Sequence, residues 1–203
     1  MGIGKEISLM DEGNDDEILE IQDNSRETLL TTLFHLRRSE SRLGADAFDE
    51  LGNPFELKTT TVSGVGTGRD VSFEMIAQWR KRYWIIGKGQ NYRSGFHFEK
   101  IFFLSPAMID GALRRIEDRM RPDIELKNKV LLKIQECAPH QFSREELEKI
   151  DYLMARGSTL NNPKIPLTYV EQNGVLIERD HPRRLRELIK KHPLVCQDDS
   201  ALP

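Results

Sequence analysis

Little in this 203-residue chain marks a specialised class, and each shortage excludes something. There are only two cysteines, Cys137 and Cys196, and they form no metal-spacing pair. Both are expected to be free and reduced. Cys137 and His140, in CAPH, would supply two of the four ligands of a structural zinc, and no second cluster completes the set. No apolar run approaches the ~18 residues of a membrane span, so no membrane partner is expected. The opening stretch MGIGKEISLMDEG is acidic and has no signal-peptide apolar core, which predicts a cytoplasmic protein. The glycine-rich GVGTGRD lacks the Gly-Lys-Ser/Thr ending of a phosphate-binding loop, so no nucleotide cofactor is expected.

What is present is a polar, globular composition, 38% apolar and 31% charged, long enough to bury a core. The net charge of −3 hides an uneven distribution. Residues 1 to 27 hold nine acids and two bases, and the remainder holds 24 acids and 28 bases. An acidic front on a mildly basic body leaves room for a local patch that binds nucleic acid.

The pattern predicts a short helix over 14–22 and a second over SRETLLTTLFHLRRS with Ser25 as N-cap. A hairpin follows, DAFDE and PFELKTTTV about the Gly52-Asn53-Pro54 turn. The stretch 63–70 reads as a Gly-rich connection, 73–82 as a helix, and 83–89 and 96–104 as strands joined by the loop QNYRSG. Helices are expected over 105–120, 124–138 and 143–157, the last opened by a capping box of Ser143 and Glu146. KIPLTYVEQNGVLIE reads as a strand, an Asn-Gly turn and a short strand, and HPRRLRELIKKHP as a basic helix started by Pro182. The order predicts an α/β (α+β) chain with a central mixed β-sheet flanked by helices, and one domain over 1–203.

Within the hairpin, Asp46, Glu56 and Lys58 form a chemically suggestive set. Residues two apart on a strand share a face, so Glu56 and Lys58 point together and Leu57 points away. Across a tight turn Asp46 can approach Glu56. Two carboxylates and a backbone carbonyl suit a hard cation such as Mg²⁺, which polarises a phosphate oxygen and acidifies a bound water. Lys58 would hold or deprotonate the attacking water and stabilise charge in the transition state. Asp49 competes with Asp46 for the ligand role. These residue types suit phosphodiester hydrolysis, although Asp, a variable gap and Glu-x-Lys also occur in solvated hairpins.

Four further stretches narrow the reading. In order they are IQDN (21–24), DAFDELGNPFELK (46–58), MIAQWRKRYW (75–84) and LNNPKIPLTYV (160–170). Together they resemble the PvuII-type restriction endonucleases of the PD-(D/E)xK nuclease superfamily, over roughly residues 20–110 and 158–175. The segment between is longer than that family leads one to expect, and the tail after about 176 has no counterpart.

The resemblance implies a restriction-endonuclease-like fold, with an N-terminal helical region (1–45) for dimerisation and DNA contact. A catalytic sheet (46–110), a helical segment (111–157) and a recognition strand pair with a basic C-terminal helix (158–203) would follow. It implies a homodimeric type II restriction endonuclease. Such an enzyme hydrolyses both strands of a short palindromic double-stranded DNA site with Mg²⁺ and leaves 5′-phosphate ends. Alternatives are a nicking or mismatch-repair-type endonuclease, or an inactive DNA-binding module. The catalytic set then falls on Asp46, Glu56 and Lys58, with Asp46 preferred over Asp49. The metal ligands fall on Asp46, Glu56 and the Leu57 carbonyl. The base-contacting pair falls on Asn161 and Asn162, next to Lys164, and the acid that approaches DNA from the minor-groove side on Asp23. Trp79 stands where the family has a tyrosine near the active site. Arg69 and Asp70 stand near the family's base-reading histidines; arginine suits guanine and aspartate the cytosine amino group. Alone, Asn161-Asn162-Pro163 would read as a turn, Trp79 as packing, and Arg80-Lys81-Arg82 as a solvated helix end.

Overall fold

The computed structural model describes residues 15–39, 44–69, 71–135, 142–156, 162–178 and 180–194. Cys137, His140 and Cys196 lie outside these, as do Asp70 and Asn161. Its frame is a mixed six-stranded sheet in the order β1-β2-β3-β5-β6-β8. β1 (Arg37–Arg38) and β2 (Ala47–Phe48) are short edge strands, and β2 pairs antiparallel with β3 (Pro54–Thr60). β3 runs parallel to β5 (Tyr83–Tyr92), so a crossover must join them, and α2 (Phe73–Trp79) lies within it. β5 and β6 (Gly95–Leu104) form a long hairpin, and β8 (Val175–Leu176) adds to the far side of β6.

Helices cover both faces, which is why β5 reads Tyr-Trp-Ile-Ile without a polar break. Tyr83, Ile85, Phe55, Leu57 and Phe103 face Leu30 and Phe34 of α1 (Asp15–Phe34) and Leu185 and Leu188 of α6 (His181–Lys191). Trp84, Ile86, Phe102 and Leu104 face α2, α3 (Pro106–Gln135) and α5 (Leu167–Asn173) through Ile76, Ile109, Leu113 and Val170. α4 (Arg144–Arg156) packs against α3 and carries the expected reciprocal cap. The Ser143 hydroxyl accepts from the Glu146 N–H at 3.2 Å, and the Glu146 carboxylate accepts from the Ser143 N–H at 3.0 Å.

Four expectations change in the fold. The two N-terminal helices are one helix, α1, with Ser25 in its interior. The glycine-rich connection contains a strand, β4 (Gly64–Gly66), paired antiparallel with β7 (Lys164–Pro166). The loop QNYRSG is mostly strand, so that β5 and β6 turn at Arg93-Ser94. After Pro166 the chain makes helix α5 rather than a longer strand. Leu167 and Val170, three residues apart, bury together on one helical side, and the Tyr169 hydroxyl donates to the Met108 carbonyl of α3 at 2.8 Å. Gly174 therefore closes a helix instead of turning a hairpin. Its N–H bonds the Val170 carbonyl at 2.8 Å, and a Cβ there would come within 2.7 Å of that same oxygen.

Phe103, fully buried between Tyr83 and the α1/α6 layer, should be among the costliest truncations. Phe103→Ala is expected to lose about 3–5 kcal/mol in urea unfolding. Tyr92→Ala, at a side chain 55% exposed on the hairpin, should change stability by less than about 0.5 kcal/mol.

Candidate active site

The alternation of β3 sorts its side chains. Phe55 and Leu57 enter the α1/α6 layer, whereas Glu56 and Lys58 are in register with Trp84 and Ile86 and take the opposite face. Asp46 comes to them because β2 stops at Ala47. The Asp46 N–H bonds the Phe55 carbonyl at 2.9 Å. Its carboxylate then accepts from the Leu57 N–H at 2.8 Å, where the ladder would need another strand. The N–H and C=O of one extended residue point to the same side. The Leu57 carbonyl therefore faces this same edge.

Lys58 joins the acids. Its ammonium lies 2.9 Å from Glu56 Oε1 and 3.5 Å from Asp46 Oδ2. Burial works against its charge, but Glu56 foremost, then Asp46 and Glu27, outweigh it and hold the ammonium above the ordinary lysine range. Glu56 is buried, and that burial raises its carboxyl despite the pull of Lys58. The competition between the two aspartates is separated by geometry. Asp49 spends its carboxylate inside the hairpin turn, accepting from the N–H groups of Leu51 (3.0 Å) and Asn53 (2.8 Å) and from the Asn53 amide (2.7 Å).

Two residues not picked out from the sequence complete the cluster. Arg82, expected in a solvated helix end, is 8% exposed and donates to Glu56 Oε2 at 2.7 Å. Its neighbour Arg80 is not a solvated end either; it ties α2 to Asp110 (2.8 Å) and Glu117 (2.7 Å) of α3. Glu27 lies on the sheet-facing stripe of α1 with Leu30, Thr31 and Phe34. Burial pushes its carboxyl from 4.5 up to about 7, against the pull of Lys58 and Arg38 and with the repulsion of Asp46 and Glu56. A helix-stripe position occupied by an acid was the available signal for Glu27. For Arg82 no local pattern gave one.

The DNA-contact candidates divide. The β4–β7 ribbon joins the Gly-rich segment to the Asn162-Pro163-Lys164 turn, since the Thr67 N–H and hydroxyl both donate to the Pro163 carbonyl, at 3.2 and 2.7 Å. Val65 and Ile165 anchor the ribbon in the layer that contains Trp84, on the face that also carries Glu56 and Lys58. Arg69 and Lys164 are exposed on it. Asn162 has a left-handed backbone, φ 50°, and its side chain sits over Gly66, where a Cβ would meet Oδ1 at 2.8 Å. Asp23 lies in α1, one turn before Glu27. Trp79 is not presented to the site. It is 3% exposed and stacks edge-on against Trp84 at 5.8 Å, beneath Gly68.

Among the described residues no three His, Cys, Asp or Glu side chains form a ligand set. A hard cation would instead take Asp46, Glu56, the Leu57 carbonyl and waters, an all-oxygen donor set that fits such an ion.

The raised Glu27 carboxyl has a signed consequence. The unfolded chain releases this proton near pH 4.5 and the folded chain holds it to about pH 7, so stability from this group falls across that window. Glu27→Gln should match wild type in urea unfolding at about pH 4. At pH 8 it should be more stable by about 1–2 kcal/mol, a range already discounted for partial exposure. A pH-independent difference would remove Glu27 from this environment.

Among the described residues no helix is long and apolar enough to cross a membrane. No curated protein matches the chain. The family model of restriction endonuclease PvuII matches residues 7–135, which include α1, all three acid–lysine positions and Arg82, and stop short of the Asn162 turn. With well over half of its length matched, the chain belongs to the PvuII restriction endonuclease family and is a type II site-specific deoxyribonuclease, a hydrolase whose substrate is DNA.

Proposed function

We propose that this endonuclease is a homodimer that hydrolyses one phosphodiester in each strand of a short palindromic site, with Mg²⁺, leaving 5′-phosphate ends. The observation that carries the proposal is the Asp46–Lys58–Glu56 cluster at the open edge of β3. Asp46, Glu56 and the Leu57 carbonyl would hold the cation, which when bound polarises the scissile phosphate and acidifies water. Lys58 stays an ammonium, because the acids around it stabilise its charge. It therefore works as a charged donor, orienting the attacking water and balancing the negative charge that grows on the phosphate oxygens. The Leu57 N–H fixes Asp46, and the turn built by Asp49 fixes the hairpin that presents it.

Recognition belongs to the ribbon. Arg69 offers a bidentate donor pair to guanine O6 and N7, and Asp70 an acceptor for the cytosine amino group. Asn161 and Asn162 match adenine N6 and N7. Lys164 beside them suits a phosphate, and Asp23 the minor-groove side. Thr67–Pro163 bonding lets the Arg69 loop and the Asn162 turn move as one reader. Two-fold symmetry would repeat each contact in both half-sites.

Plasmid incubated with Mg²⁺ tests the reaction. Discrete fragments are expected; open circles alone would mean nicking, and unchanged supercoil would mean binding without cleavage. Lys58→Ala should abolish cleavage and retain specific binding in Ca²⁺. Asp46→Ala should lose activity together with divalent-ion binding. Asp49→Ala should keep activity and lose about 1–2 kcal/mol of stability with its turn bonds. Activity lost in Asp49→Ala and kept in Asp46→Ala would reverse the assignment.

Once the site is mapped, Arg69→Ala should cost about 1–3 kcal/mol per half-site on the cognate duplex and relax discrimination at one G·C pair. Equal loss on every single-base variant would make Arg69 a backbone contact.

A further inference from the structure

Arg82 is the charged group of this site to which the cleavage chemistry gives no task. It stands at the junction of α2 and β5, and its backbone N–H is bonded to the Trp79 carbonyl at 3.3 Å. Buried at 8% exposure, its guanidinium donates to Glu56 Oε2 at 2.7 Å. The other oxygen, Oε1, is held by Lys58 at 2.9 Å. Both oxygens of Glu56 therefore face a protein cation, one each.

The two cations are not equivalent. The Lys58 ammonium lies between Glu56 Oε1 and Asp46 Oδ2, at the edge that the Leu57 carbonyl also faces. It is a compact charge on a flexible stem and can swing aside for another cation. The guanidinium cannot shed its proton, and its side chain is enclosed by the protein. A carboxylate that serves two divalent ions must offer an oxygen to each, and here the second oxygen is committed. Formal charge points the same way. Asp46 and Glu56 are already offset by Lys58 and Arg82. One divalent ion and a phosphate leave a small excess of positive charge, whereas two such ions would crowd four cations about two acids.

We propose that Arg82 is a built-in positioning cation that occupies Glu56 Oε2, so that each active site takes a single divalent ion, between Asp46, Glu56 Oε1 and the Leu57 carbonyl. The inference rests on the metal-dependent reading above and adds the ion count to it.

The test counts ions on the whole protein, without using activity. Mn²⁺ titrated into the wild-type enzyme and followed by electron paramagnetic resonance, with Ca²⁺ calorimetry beside it, should give one bound ion per chain. Arg82→Lys keeps the charge and should also give one. Arg82→Met frees Oε2 and should bind a second ion, or bind the first roughly tenfold more tightly. Two ions of similar affinity per wild-type chain would overturn the proposal, as would a folded Arg82→Met with the wild-type count and affinity. If circular dichroism shows that Arg82→Met does not fold, the wild-type and Arg82→Lys counts decide. No binding of either ion to the wild type would instead sink the metal-dependent reading itself, and this inference with it.

Discussion

Two carboxylates held close together on a half-buried sheet edge repel each other, and the structure is arranged around that repulsion. At ~4 Å and an effective dielectric near 20, like charges cost about 4 kcal/mol. Asp46 and Glu56 are kept ionisable by Lys58 between them and Arg82 behind. Glu27, with no cation to itself, instead has its carboxyl pushed up to about 7. Each cation arrives on a different part of the fold: Lys58 by the alternation of β3, Arg82 by the turn that ends α2. Removing a buried partner from such a set leaves an uncompensated charge, which costs more than the pair contributes.

The scaffold around this edge is stiff because it is covered on both faces. β5, paired with β3 on one side and β6 on the other, is buried through Gly87. Side chains on its neighbour β3 are thereby held in one register, and a slip of one residue would send Glu56 and Lys58 into the α1/α6 layer. The edge itself is open because β2 is only two residues long. Closing it with a longer strand would have consumed the Leu57 backbone groups.

Reading and cutting are joined by the β4–β7 ribbon. The Gly-rich stretch and the Asn162 turn are nearly a hundred residues apart in sequence, and Thr67 bonds them through the Pro163 carbonyl. Glycine is needed at 66 because the Asn162 side chain lies where a Cβ would be. Val65 and Ile165 bury the ribbon's root in the layer that also receives Trp84. Movement of the recognition loop is therefore mechanically tied to the sheet that carries Glu56.

Much of the site was legible because it is local. Period-two alternation gave the shared face of Glu56 and Lys58, the Gly-Asn-Pro turn gave the hairpin, and the run of four matching stretches gave the family. Some elements depended on partners distant in sequence. Leu167–Asn173 is a helix because Leu167, Tyr169 and Val170 dock on α3 and the sheet; as an isolated string the same residues suit a strand. Gly64–Gly66 is a strand only because Lys164–Pro166 lies beside it.

The charges show the same division most clearly. Sequence alone determined which residues could do phosphodiester chemistry, since that follows from residue type and a spacing of two. Tertiary structure decided which acids and bases meet. It spent Asp49 on a turn, packed Trp79 against Trp84, aimed Glu27 inward from a helix, and turned Arg82 from an apparent helix-end charge into the second partner of Glu56. The reason is physical: a side chain's type travels with the chain, but its burial and its partners are properties of the neighbours that folding brings to it.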